Sequence, residues 1–314
     1  MSSNFGTKPA IDASDRRTSK AGWRATASHK LAPYLFISPF FLLYGLFMVI
    51  PIGAAVYLSF TAWAGFGSPQ WIGFHNYTQL FRDPTFLASV KNTLFYIAIS
   101  LFVVVPLALM IATALNARGL RLRDLFRLIY FLPIVVSPIV IALVFSLTFD
   151  RQFGVLNTIL RSLFGVGSID WLGNEVLAKG VVAFLIVWRW TGYLVIFFLA
   201  ALQNIPRSLY EAAALDGARA FAQFRNVTLP MLRPITVFVS VTVFIGSAQI
   251  FDEPYLLTQG GPANATIPVA EFIYNAAFAQ QQLGYAAAAG VLFFIAVFTI
   301  SKAAMVIVGI GRES

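Results

Sequence analysis

The chain has 314 residues, 59% of them hydrophobic and only 11% charged, with a net charge of +9 and a mean hydropathy of +0.78. Soluble domains carry roughly 25% charged residues, so this composition excludes a water-soluble globule. There is no cysteine and there are only two histidines, His29 and His75, which excludes disulfides and thiol chemistry and leaves nothing that predicts a metal site.

Taken in chain order, residues 1–30 are polar and rich in Ser, Ala, Lys and Arg, as expected for a flexible cytoplasmic tail with a surface helix near its end. The tail is too polar, and the apolar run behind it too long, for a cleaved leader. Residues 31–308 then hold six apolar segments, each meeting the roughly 20 residues that a membrane span needs. The first is about 33–60, with Pro39 and Pro51 inside it, and the second, about 93–117, carries no charge. The third is about 128–149, with kinks expected at Pro133 and Pro138, and the fourth, about 180–202, contains Arg189. The fifth is about 235–251; the sixth is about 284–308, with Lys302 placed to snorkel. Residues 309–314 form a short C-terminal end. The expected fold is an all-α integral membrane protein of six transmembrane helices.

The cations decide the orientation. Lys8, Arg16, Arg17, Lys20, Arg24 and Lys30 lie in the tail; Arg118, Arg121, Arg123 and Arg127 follow the second span; Arg207, Arg219, Arg225 and Arg233 follow the fourth. The opposite side has only Arg82, Lys91, Arg151, Arg161 and Lys179. By the positive-inside rule both termini are cytoplasmic. The same spread, in short stretches between apolar runs, argues against a nucleic-acid-binding face. The outer loops 61–92, 150–179 and 252–283 carry turn residues and aromatics. They either cap the spans and offer a docking surface to an external partner, or simply connect.

No G-x-x-x-x-G-K-[ST] occurs, so this chain does not cradle nucleotide phosphates. The second and third spans contain no acid or histidine for a proton relay, and clear acids lie at edges: Asp150, Asp252 and Glu253. Intrinsic catalysis is not expected. The informative segment is the inner loop 203–234. Pro206 ends the fourth span, and Ser208-Leu209-Tyr210-Glu211 has capping-box spacing, with Ser208 and Glu211 exchanging backbone bonds. Ala212, Ala213 and Ala214 favour helix with little bulk, and Gly217 can take the positive φ that closes it. A second short helix through Phe221, Phe224 and Val227 would be broken at Pro230. Such an elbow either inserts into a groove of a soluble partner or lies on lipid headgroups.

Glu211-Ala212-Ala213-x-x-Asp216-Gly217-Ala218, with Phe224 and Leu229-Pro230 downstream, resembles the EAA signature of permease subunits of binding-protein-dependent ABC importers. Several outer motifs resemble the maltose/glycerol-phosphate-type sugar branch. They are Phe74-x-Asn76-Tyr77, Lys91-Asn92-Thr93, Gly154-x-x-Asn157, Leu202-Gln203-x-Ile205-Pro206 and Leu257-Thr258-Gln259-Gly260-Gly261-Pro262. The resemblance covers roughly residues 31–308. It implies a coupling helix in the loop after the fourth span, seated in an ATPase subunit, with Glu211, Ala212, Ala213, Asp216, Gly217, Ala218, Phe224 and Pro230 as the coupling residues. It further implies a second homologous permease, two ABC ATPases that use ATP and Mg, and an extracytoplasmic solute-binding protein. No cofactor is expected on this chain, and the location would be a bacterial or archaeal cell membrane. An energy-independent homo-oligomeric channel or carrier is the alternative.

Arg189, in Trp188-Arg189-Trp190-Thr191-Gly192-Tyr193, is a cation inside a span and should face water or a partner. Trp188, Arg189 and Tyr193, with Gln249, Asp252 and Glu253 at the end of the fifth span, are the candidate solute path. Alternatively, Arg189 clamps a neighbouring subunit or a backbone carbonyl, and the other polar groups are satisfied at the outer interface.

Overall fold

The computed structural model describes residues 34–116 and 123–308. The predicted tail (1–30), Arg118, Arg121 and the C-terminal end (309–314) lie outside the described residues. The chain divides into two compact units, one ending at Ala55 and the other beginning at Val56. Helix α1 (Tyr34–Leu58) exposes Phe40, Phe41, Leu42 and Phe47. A helix apolar on all sides is stable in lipid rather than in water.

The second unit begins with a two-stranded antiparallel ribbon, β1 (Thr61–Ala62) and β2 (Gln70–Trp71), followed by α2 (His75–Leu80). Helix α3 (Pro84–Asn116) starts nine residues before the predicted second span. Asp83 caps it by accepting from the amides of Thr85 and Phe86, and Pro84 stands in the first turn, where no N–H is required. Helices α4 (Arg123–Val135) and α5 (Pro138–Thr148) occupy the predicted third span, but they are bent by 98°. Both prolines were expected to kink it. Pro133 stays inside α4, while the chain turns at Ser137, whose extended ψ is what a following proline demands.

The short amphipathic helix α6 (Val155–Phe164) leads to α7 (Glu175–Gln203), which begins five residues ahead of the predicted fourth span. Asn174 caps it through the amides of Val176 and Leu177. Then come α8 (Arg207–Leu215), α9 (Ala220–Gln223), α10 (Leu229–Ala248), α11 (Asp252–Thr258), α12 (Val269–Tyr274) and α13 (Leu283–Val308). Among the described residues, five helices are long and apolar enough to cross a membrane, or six if the bent α4–α5 pair forms one span.

Pro230 does not break the chain as expected. The turn Phe224–Thr228 is a π-helix, closed by the Leu229 amide on the Phe224 carbonyl, and α10 continues through the proline. Pro106 follows a π turn at Ser100–Val104 in the same register, and Pro51 one at Gly45–Val49. Proline lacks an N–H and its ring crowds the carbonyl four residues back. A widened turn directly ahead relieves both problems, so the helix passes through.

The main core lies where α3 and α4 pack along α7, around Tyr96, Ala108, Val182, Ile186 and Phe198. Gly192 makes the α4 contact possible, because a β-carbon there would collide with the Tyr130 carbonyl. A second cluster (Leu80, Phe86, Phe272, Tyr285, Ala289) joins α2, α3, α12 and α13. The loops 61–92, 150–179 and 252–283 are tied down by asparagines. Asn76 donates to the Ser59 and Thr61 carbonyls, and Asn92 to those of Asn264 and Ile267. Asn157 donates to Asp150, Arg151 and Ile169 carbonyls and accepts from the Ile169 amide and the Trp171 indole. These loops therefore cap the bundle rather than merely connect its helices.

Candidate functional site

Two places collect the predicted residues. The first is the elbow α8–α9. Its capping differs from the expectation: α8 begins at Arg207 with Pro206 at the cap position and no side-chain cap bond. Ser208 lies inside the first turn, too late in the helix to cap it, so it and Glu211 do not exchange bonds. Glu211 is instead exposed.

The other end follows the prediction closely. Gly217 has φ +80°, its amide donates to the Ala214 carbonyl, and the Ala218 amide donates to the Ala213 carbonyl. That double closure is a Schellman turn, which a residue with a β-carbon at Gly217 would strain. Ala212, Ala214 and Asp216 are exposed, while Ala213, Ala218 and Phe224 are half-buried. Leu215 and Phe221 are 89% and 74% exposed, an apolar tip that none of the described residues covers. The elbow is fastened to the bundle by a residue that spacing did not single out. The Tyr210 hydroxyl is 2.9 Å from Thr228 Oγ1 in the π turn.

The second place is a cleft of about 390 Å³ among α3, α7, α10 and the segment entering α11. Five of the six predicted path residues line it: Arg189, Tyr193, Gln249, Asp252 and Glu253. Trp188 does not; it turns away and packs on Phe145, with ring centroids 5.4 Å apart. Trp190, two residues further along α7, lines the cleft instead. The π turn at Ser100–Val104 also contributes its first and last residues to the wall.

Arg189 finds an ion-pair partner within the chain, while its Nε is buried without a hydrogen-bond partner. Its Nη1 donates to Glu253 Oε1 at 2.9 Å, and the same oxygen accepts from Trp190 Nε1 at 2.9 Å. Both charged side chains are buried, at 9% and 5% exposure. A buried cation is tolerable only when paired in this way, and removing either partner strands the other. Asp252, next to Glu253, is exposed at the cleft. Among the described residues, no three His, Cys, Asp or Glu side chains group closely enough to hold a metal ion.

Residues 104–309 match the family model for the binding-protein-dependent transport system inner membrane component. The chain belongs to this family. It is 36% identical over 285 residues to the arabinooligosaccharides transport system permease protein AraP of Bacillus subtilis, covering 90% of each chain. It is 37% identical to the lactose transport system permease protein LacF of Rhizobium radiobacter, covering 85% of this chain and 91% of that one. In fold it is similar to a subunit of a bacterial alginate ABC transporter crystallised with an alginate-bound periplasmic protein. That match has a TM-score of 0.79 at 22% identity, over 89% of this chain and 94% of that chain. The chain is thus a membrane permease component, a transport subunit rather than an enzyme.

Proposed function

We propose that this chain is one of two homologous permeases in an ATP-driven importer of carbohydrate, in the cell membrane of a bacterium or archaeon. In this reading six spans cross the bilayer, with α4–α5 as one broken span and both termini cytoplasmic. The observation that carries it is the bare elbow, a Schellman-closed helix with an exposed apolar tip, set on two long helices. Two ATPase subunits bind and hydrolyse ATP with Mg, and one of them receives this elbow in a groove. An extracytoplasmic solute-binding protein delivers the sugar to the side capped by the asparagine-clamped loops. Neither nucleic acid nor a cofactor on this chain has a part.

Closure of the ATPases moves the seated elbow, and α7 and α10, which flank it in sequence, change their packing. A partner shifts such an equilibrium only through contacts that differ between the two states. The cleft with Arg189 and Glu253 forms this chain's share of the solute path. The relatives' names, arabinooligosaccharides and lactose, support a di- or oligosaccharide as cargo.

Affinity purification in mild detergent followed by mass spectrometry tests the assembly. The expected result is recovery of an ABC ATPase, a second permease and a solute-binding protein, whose ligand screen then names the sugar. Recovery of this chain alone as a stable homo-oligomer overturns the proposal and favours an energy-independent channel.

A further inference from the structure

The cleft carries one positive and two negative side chains: Arg189, Asp252 and Glu253. Arg189, which by itself would attract a phosphate or carboxylate, has its charge offset by Glu253. Its Nη1 donates to Glu253 Oε1 at 2.9 Å, its Nε is buried without a hydrogen-bond partner, and its guanidinium carbon lies over the Trp190 ring, 5.5 Å from the centroid. Glu253 is itself fixed by two donors on the same oxygen and is only 5% exposed. What faces the open space is the carboxylate of Asp252, together with amide, hydroxyl and aromatic groups from Gln249, Ser247, Thr242 and Tyr193. Hydroxyl-rich rings find stacking faces and hydrogen-bonding groups there. An anion finds a compensated cation and an uncompensated carboxylate, in a partly enclosed site where screening is weak.

We infer that Glu253 determines the charge selectivity of the path: by cancelling Arg189 it leaves the cleft open to neutral polyhydroxylated solutes and closed to anionic saccharides. This rests on the reading of the cleft as part of the solute path. Removing the Glu253 charge uncovers Arg189 and converts the cleft toward anion acceptance. Removing the Asp252 charge relaxes anion rejection without touching the buried pair.

The test is saturation-transfer NMR on the full chain in lipid nanodiscs, together with whichever subunits co-purify. The probes are lactose, maltose and cellobiose set against lactobionate, maltobionate and cellobionate, which are similar in size and carry a carboxylate. Wild type is expected to give at least tenfold weaker transfer to the bionates. Glu253→Gln should raise the bionate-to-neutral ratio at least tenfold, and Asp252→Asn should raise it by less. Because Glu253→Gln strands a buried cation, the double variant Arg189→Gln/Glu253→Gln serves as a folding control that should keep the wild-type preference. Bionate transfer equal to neutral in wild type, a ratio unmoved in both single variants, or no transfer to any probe overturns the inference. The importer reading is judged separately by whether an ABC ATPase co-purifies, so the two failures are distinguishable.

Discussion

At the residue scale, Glu271 is the most exacting side chain outside the cleft. It is fully buried in α12, and neither carboxylate oxygen has a hydrogen-bond partner. Its surroundings are the Gly260 turn, the phenols of Tyr96 and Tyr255, and the second apolar cluster. Burial pushes its carboxyl from the ordinary 4.5 up to about 7. The folded protein therefore holds this proton more tightly than the unfolded chain does. Below pH 4.5 both states are protonated and there is no penalty. The penalty grows as pH rises toward 7 and is constant above it, on the order of 3 kcal/mol at most. Thermal unfolding should find Glu271→Gln clearly more stable than wild type at pH 8 and close to it at pH 4.5; the same difference at both pH values would contradict this origin. Gly192 is equally exacting for steric reasons. Gly192→Ala should cost about 1–3 kcal/mol or more, because the backbone carbonyl of Tyr130 has nowhere to go. Gly180→Ala in the same helix meets open space and should be neutral or stabilising, which a paired melting experiment checks.

At the element scale, the elbow of the proposed importer is where coupling and folding can be tested separately. Gly217 has no neighbour within 4 Å of where a β-carbon would lie, so its requirement is conformational. Gly217→Pro removes the amide that donates to Ala214 and demands a negative φ where the turn needs +80°. Solute uptake should fall to background while the amount of protein in the membrane stays near wild type. A bulky residue at half-buried Ala213 should do the same by blocking close seating. Uptake near wild type in both variants would remove the elbow from the mechanism. The π turns belong to this scale too, since they let Pro51, Pro106 and Pro230 sit inside long helices.

At the scale of the whole molecule, the loops 61–92 and 252–283 hold distant helices together through few side chains. Asn92 and Thr93 of α3 bind the Asn264 and Ile267 carbonyls and the Val269 amide, more than 170 residues away in sequence. Tyr96 adds a bond to the Thr266 carbonyl. Asn92→Ala leaves buried carbonyls unpaired at a cost of about 1–3 kcal/mol. Hydrogen exchange should then speed up across residues 259–268 before it does in α7. Uniform exchange with no local change would show that this clamp is dispensable.

Five of the six apolar runs were readable as long helices, because an unpaired backbone group is costly in lipid. The Asp83-Pro84 and Asn174-Glu175 caps, which set where two helices begin, were also present in the sequence, although apolar content alone placed both starts too late. Gly217 was legible for a local reason, since only a positive φ closes that helix. The pairing of Arg189 was not. Sequence showed that a buried cation needs a partner, but Glu253 is 64 residues away and reaches it only because α11 folds back against α7. Likewise, the choice of Trp190 over Trp188 as the cleft residue depends on how α7 is rotated against its neighbours, which packing decides. Local backbone chemistry and hydrophobicity are written residue by residue along the chain. Which polar groups meet, and what charge a cavity presents, depends on contacts between segments far apart in it, and tertiary structure alone settles those.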